Sequence, residues 1–314
     1  MHVTLLTDRE EWAAFLKCAV NPTLFHDLRF LDYHPSGRFN FHHLVIRNDR
    51  SLVGLLPGAL SADGVFNSTS GASVGGLVVG PNASFHNVLE AIEAVQAYAK
   101  KNGWAAIEMT TPPRVYAPDA ADCVSMALHL KRFAYRHRWL CHVLPLDQDW
   151  SRRFSSRQAA YVRAAHRAGA TAVEGGIELL GTFYRPFRDT FARHGVPATH
   201  TEDEIENLME RFPDRIRIHL AMQDNEPLAG LLVFYVAPGV GYTMYIVRSA
   251  GRENARGDSV VIADAMTHLA AKGFRYLDLG PSASDMNVNW GVLTFKERLG
   301  AVGLCRDRWV WTAR

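Results

Sequence analysis

Lysine is scarce in this chain, and one lysine stands in suggestive company. There are six lysines against twenty-eight arginines, and Lys296 sits in Phe295-Lys296-Glu297-Arg298-Leu299-Gly300. A compact ammonium can stabilise a developing oxyanion, or it can hold a phosphate. Carboxylates are the natural partners of such a cation, as general bases. Asp278, in Asp278-Leu279-Gly280-Pro281-Ser282, and Asp285, in the loop 282–289, are the candidate acids. An aspartate at a strand end such as Asp278 commonly braces a turn, whereas Asp285 is expected to be exposed. His194, beside Gly195, is a further base or a turn residue. Phe295, Tyr242, Tyr245, Trp290 and Ser282 are expected to shape a pocket, with plain core packing as the alternative for the aromatic rings.

Other patterns carry less chemistry. Arg152, Arg153, Arg157, Arg163 and Arg167 crowd one segment, and Arg163 and Arg167 share a helix face. They could meet phosphates of a tRNA or a nucleotide, or form a solvated face. Gly71-Ala72-Ser73-Val74-Gly75 has the letters of a hydrolase nucleophile elbow, but a Gly-Gly pair and a short apolar strand follow where a helix would be needed. The four cysteines are scattered and read as idle thiols. His42 and His43 point to opposite sides of a strand, so no metal site is expected. A net charge of +2 makes any basic site local, and no apolar run is long enough to span a membrane. The start carries no signal-peptide pattern, so the cytoplasm is the expected compartment.

The elements that must position these residues occur twice. Arg47–Leu56 and Met222–Leu232 both read as strand, polar turn, strand. About fifty residues after each comes a helix, a stop glycine (Gly103, Gly273) and a strand with an acid, Glu108 or Asp278. Such a repeat predicts two related domains, 1–148 and 149–314, with a cleft between them. Thr7 is expected to cap an opening helix, with Glu10 completing the box. Prolines 112, 113 and 118 predict a loop over 111–122. Helices are expected over 151–169 and from about Thr182, and from Thr201, whose Thr201-x-x-Glu204 forms a capping box. The fold class is α/β (α+β), with mixed, mainly antiparallel sheets.

This order of elements resembles the acetyltransferase-type (GNAT) fold in tandem, and more narrowly the Fem family of aminoacyltransferases. Tyr184, Phe187 and Phe191-Ala192-Arg193-His194-Gly195-Val196-Pro197 are similar to the family's aromatic helix and its loop. Asp278-Leu279-Gly280 is similar to its D-x-G segment, and Phe295-Lys296 with Gly300 to its F-K-x-x-x-G segment. The resemblance implies an amide-forming transferase in which Lys296 stabilises the tetrahedral intermediate. It also implies a last strand, about 305–314, that returns to the first domain. Co-substrates in the family are aminoacyl-tRNA or acyl-CoA, with no tightly bound cofactor. CoA-dependent members cradle pyrophosphate in an R/Q-x-x-G-x-G/A loop. Here Arg252-Glu253-Asn254-Ala255-Arg256-Gly257-Asp258 keeps the first Arg and last Gly but has Ala255 and Asp258. The expected function is therefore aminoacyl transfer from tRNA to an amine of a small or nucleotide-linked acceptor. The alternatives are an acyl-CoA N-acyltransferase for an amino sugar or polysaccharide precursor, and a non-catalytic binding relative.

Overall fold

The computed structural model describes residues 1–49, 51–147, 149–195 and 197–313. The chain divides into two compact units, Met1–Leu140 with Leu304–Arg314, and Cys141–Gly303. The first unit carries β1 (His2–Leu5), α1 (Arg9–Cys18), α2 (Leu28–Leu31), β2 (Leu44–Arg47), β3 (Leu52–Leu56), β4 (Ala59–Leu60), β5 (Val65–Asn67), β6 (Val78–Val79), α3 (Phe85–Lys101), β7 (Ala106–Thr110) and α4 (Pro118–Leu130). β8 (Ala134–Pro145) leads into the second unit. There follow α5 (Ser156–Arg167), β9 (Thr171–Gly175), α6 (Leu180–His194), α7 (Glu202–Arg211), β10 (Ile216–Gln223), β11 (Glu226–Ala237) and β12 (Val240–Arg248). Then come α8 (Gly257–Ala271), β13 (Tyr276–Ser284), β14 (Asn287–Val288) and α9 (Trp290–Arg298), and β15 (Val302–Thr312) closes the order.

In the first unit β1, β2, β3 and β6 form an antiparallel sheet. β15 pairs antiparallel with β7, from Arg308 opposite Thr110 to Thr312 opposite Ala106. Its Trp309 and Trp311 join Val88, Ile92, Val95 and Ala99 of α3 in one buried cluster. Those α3 positions recur at helical spacing, so one stripe faces the core. Ser84 and Asn87 cap the helix reciprocally, and Gly103, at φ +69°, ends it. Glu108 of β7 is buried and paired with Arg308 and, at 3.0 Å, with Arg136. It braces this sheet.

In the second unit β9, β10, β11, β12 and β13 lie in that order, antiparallel except for the β12–β13 pair. The β10–β11 turn has Asp224 and Asn225 at φ +53° and +61°, the left-handed pair a tight hairpin demands. α8 is buried through Val260, Val261, Ile262, Ala265, Met266 and Leu269. Gly257 opens it because a Cβ there would lie 2.5 Å from that of Leu228. The architecture is mixed α/β with mainly antiparallel sheets, as expected.

Local expectations needed correction at helix ends. α1 is capped by Asp8 in place of Thr7, since Oδ1 accepts from the N–H groups of Glu10 (2.9 Å) and Glu11 (3.1 Å). A carboxylate serves two orphan donors and complements the helix dipole. The stretch 111–122 is not all loop. Pro118 is the first residue of α4, a position where its missing N–H costs nothing. The arginine segment breaks into a 3-10 turn, Trp150–Arg153, and then α5 capped by Ser155. α6 starts at Leu180, two residues before Thr182. At α7 the Thr201–Glu204 box forms, with bonds of 3.2 and 2.9 Å.

Two histidines of the first unit make its stability depend on pH. Burial pushes His26 down to about 4, and burial followed by the charge of Arg9 pushes His43 down to about 4. Between pH 6.5 and 4 the unfolded chain binds more protons than the folded one, so stability is full above pH 6.5 and is lost on acidification. The loss is roughly 3 kcal/mol per histidine once pH 4 is passed. Denaturant midpoints should therefore fall between pH 7 and 5. A flat profile would contradict these environments.

Candidate functional site

The site is built where two parallel strands stop pairing. β12 and β13 share three rungs, Val240–Tyr276, Gly241–Leu277 and Tyr242–Asp278, although both strands run on. β12 also carries an extra residue, Met244, where the register against β11 shifts. Tyr242 and Tyr245 are three apart, which a regular strand would set on opposite faces. The bulge returns them to one face.

On the last rung itself, Asp278 is 1% exposed, and its Oδ1 accepts from the Gly280 N–H at 2.7 Å. This bond closes a tight turn that Gly280 permits with φ +74°. The turn presents the carbonyls of Gly280 and Pro281 to Lys296, whose Nζ donates to them at 2.8 and 2.9 Å. Lys296 is 4% exposed in the last turn of α9. A buried ammonium held by carbonyl dipoles is a fixed positive charge in a medium of low dielectric. α9 is held in turn at both ends. Asn289 Oδ1 accepts from Val292 N–H at 3.1 Å. At the other end the Ala301 N–H reaches the Lys296 carbonyl at 3.2 Å and the Gly300 N–H reaches that of Glu297 at 2.9 Å, a Schellman closure.

The sequence candidates are thus partly gathered. Lys296 and Asp278 share one assembly, and a Cβ on Gly280 would lie 3.8 Å from the Tyr242 hydroxyl. Ser282 is buried, with an Oγ that has no hydrogen-bond partner among the described residues. Phe295 packs half-buried on the apolar core of the unit. Asp285 is exposed at the tip of the β13–β14 hairpin, at φ +52°. Trp290 is 70% exposed at the start of α9. Tyr245 faces α6, edge-on to Phe187 and Phe191, with its hydroxyl 2.7 Å from His200 Nδ1. Burial pushes that phenol up to about 12. Arg163 and Arg167 are exposed on α5. The His194 side chain lies outside the described residues.

Sequence reasoning missed two histidines. His142 of β8 is 2% exposed, its buried Nδ1 has no hydrogen-bond partner among the described residues, and burial and then the Lys296 charge hold it below the ordinary imidazole range. His200 is 6% exposed and anchors Tyr245. The one signal for His142 was a histidine inside the apolar run 141–146. His200 had none beyond preceding a helix cap.

The loop before α8 bears on the donor. Asp258 sits in the first turn, accepts from the Ser259 N–H at 2.9 Å and pairs with Arg248 at 3.3 Å. Its carboxylate occupies the electropositive helix end that a pyrophosphate would use. Among the described residues no group of three His, Cys, Asp or Glu could hold a metal ion. No described helix is long and apolar enough to cross a membrane.

Comparison with known proteins bears on the fold. Residues 151–290 match the family described as acetyltransferase (GNAT) domain. The crystal structure of FemX is similar over the whole chain and 98% of its own, with a TM-score of 0.74 at 15% identity. L-PGS from Bacillus licheniformis gives 0.61 at 14% identity over 98% of this chain and 93% of its own. A tandem GNAT protein from the clavulanic acid biosynthesis pathway gives 0.55 at 14% identity over 100% and 98%. No curated protein sequence matches. The chain therefore has the fold of FemX and of a tandem GNAT protein, and its segment 151–290 is similar to the acetyltransferase (GNAT) domain family.

Proposed function

We propose that the chain is an N-acyltransferase that moves an aminoacyl group from aminoacyl-tRNA to an amine of a small or nucleotide-linked acceptor. The observation that carries this reading is Lys296, a buried ammonium fixed on two carbonyls beside the end of the β12–β13 ladder. The acceptor nitrogen attacks the ester carbon, and the carbonyl oxygen becomes an oxyanion that Lys296 stabilises. The ester C–O bond then breaks, and the proton released by the amine goes to the departing ribose oxygen. Asp285, open to solvent, is the group that can take the first proton. Asp278 acts through Gly280 by setting the carbonyl that holds Lys296.

Asp258 favours the tRNA donor, because a carboxylate at the α8 terminus opposes a pyrophosphate there. Among the similar structures, the C-terminal domain of a protein described as a putative lysylphosphatidylglycerol synthetase supports an aminoacyl group. A second reading, an acyl-CoA donor with an amino-sugar acceptor, rests on the acetyltransferase match of 151–290. Calorimetric titration with CoA and acetyl-CoA separates the two. The expected result is no binding at millimolar CoA, together with transfer of labelled amino acid from charged tRNA. Saturable micromolar binding of CoA would overturn the donor assignment.

A further inference from the structure

The arginines around α5 outnumber the acids that could meet them. Residues 151–169 hold five arginines and no aspartate or glutamate, in a chain with 34 Lys and Arg against 32 Asp and Glu. Arg152 and Arg153 pair with Asp149 and Asp147. Arg157, Arg163 and Arg167 meet no carboxylate among the described residues, and neither do Arg252 and Arg256 of the loop before α8. The acids beside that loop are engaged elsewhere, Glu253 with Arg193 at 3.4 Å and Asp258 with Arg248 at 3.3 Å.

Side-chain contacts lay this loop along α5. Arg256 stacks on Tyr161 of α5, its Cζ 4.3 Å from the ring centre. Arg157 approaches the same ring at 5.5 Å, and its Nε donates to the Tyr161 hydroxyl at 2.6 Å. Arg256 is held there at φ +56°, a left-handed backbone that is costly for a residue with a Cβ. At the far end, Gln223 Nε2 donates to the Ala168 carbonyl at 2.6 Å, and its Oε1 accepts from Arg252 at 3.0 Å. Arg252 is thereby tied to the end of α5 that carries Arg167. Between Arg157 on one side of the exposed face and Arg163 and Arg167 on the other stand Ala160 and Ala164. The result is a floor of small residues edged by guanidinium groups, about 15 Å long from position 157 to 167. It begins beside the Lys296 helix, since the Ser155 N–H donates to the Arg298 carbonyl at 2.9 Å.

We propose that this face of α5 and the 252–256 loop holds the sugar–phosphate backbone of the tRNA donor, an inference that rests on the aminoacyl-tRNA reading above. Guanidinium forks match phosphate oxygens, and an anion relieves the repulsion of the two cations gathered on Tyr161. The alanine floor lets the backbone come close. A lipid surface is the poorer match, because no large apolar side chain of residues 151–169 is exposed to enter it. Phosphate contacts carry no sequence information, so the face positions any tRNA alike.

The test is fluorescence anisotropy of labelled, deacylated bulk tRNA with the whole chain, from about 50 to 200 mM salt. Five phosphate contacts predict a log–log slope of about −4. Arg163→Gln/Arg167→Gln should weaken binding roughly tenfold and bring the slope to about −2.5. The KM for charged tRNA should rise while kcat holds. Lys17→Gln/Arg114→Gln, which removes two charges from exposed positions of the first unit, should change none of these. Unchanged affinity and slope in the α5 variant, in protein that still transfers from charged tRNA, would overturn the surface and leave the donor standing. An equal loss in the first-unit variant would do the same, as would lost binding to phosphatidylglycerol vesicles with tRNA binding intact. Absence of tRNA binding by the parent chain would overturn the donor reading as well.

Discussion

Lys296→Met is expected to lower turnover by on the order of 10²–10³-fold, with the donor KM little changed. The interaction it removes is made fully only when the carbonyl oxygen becomes an oxyanion, so it belongs to the rate and not to binding. The variant also leaves the Gly280 and Pro281 carbonyls without their donor. The lost bonds are worth roughly 1.5–3 kcal/mol each, against which stands the relief of no longer burying a charge. Rates are therefore compared per folded molecule, with folding followed by circular dichroism and the transfer followed with charged tRNA. An unchanged rate in well-folded protein would remove Lys296 from the chemistry. It would also favour a protein that binds without reacting.

Gly300→Ala should be the most damaging small change in the second unit. Gly300 stands at φ +81°, and an added Cβ would press on Arg153, 2.7 Å from its carbonyl oxygen. Left-handed backbone for an alanine costs roughly 1–2 kcal/mol, and overpacking against backbone roughly 1–3 more. A loss of about 3 kcal/mol corresponds to a Tm lower by roughly 6–12 °C for a unit of this size. The same residue closes α9 behind Lys296, so activity should fall with stability. Calorimetry that shows an unchanged Tm would mean that the 3-10 turn at 150–153 yields easily.

These two residues show what the sequence could and could not tell. Phe295-Lys296 and Gly300 were legible as a motif, and so was the strand carrying Asp278, although it runs on to Ser284. Their meeting through the Gly280 carbonyl was not, because a main-chain acceptor leaves no letter of its own. The bulge at Met244 was equally silent, yet it decides that Tyr242 and Tyr245 share a face. Prolines misled at α4, since Pro118 reads as a breaker until it is placed at the first turn, where it starts a helix. Thr7 lost the α1 cap to its neighbour because both letters cap well and only geometry ranks them. His142 escaped because a histidine in an apolar strand is usually core, and only the nearby ammonium marks it.

The path of the chain also sets an order of assembly. β7 finds its partner in β15, and Trp309 and Trp311 complete the core around α3. Between the first unit's two segments lie residues 141–303, which are the whole of the second. At a synthesis rate of roughly 5–20 residues per second, the wait between them is about 8–30 s. During that time the nascent first unit has an unpaired strand edge and an open apolar groove, while the second is still being made. Edges of this kind recruit chaperones or stray strands. The earlier unit is thus expected to become protease-resistant no sooner than the later one, although its first 140 residues are made first.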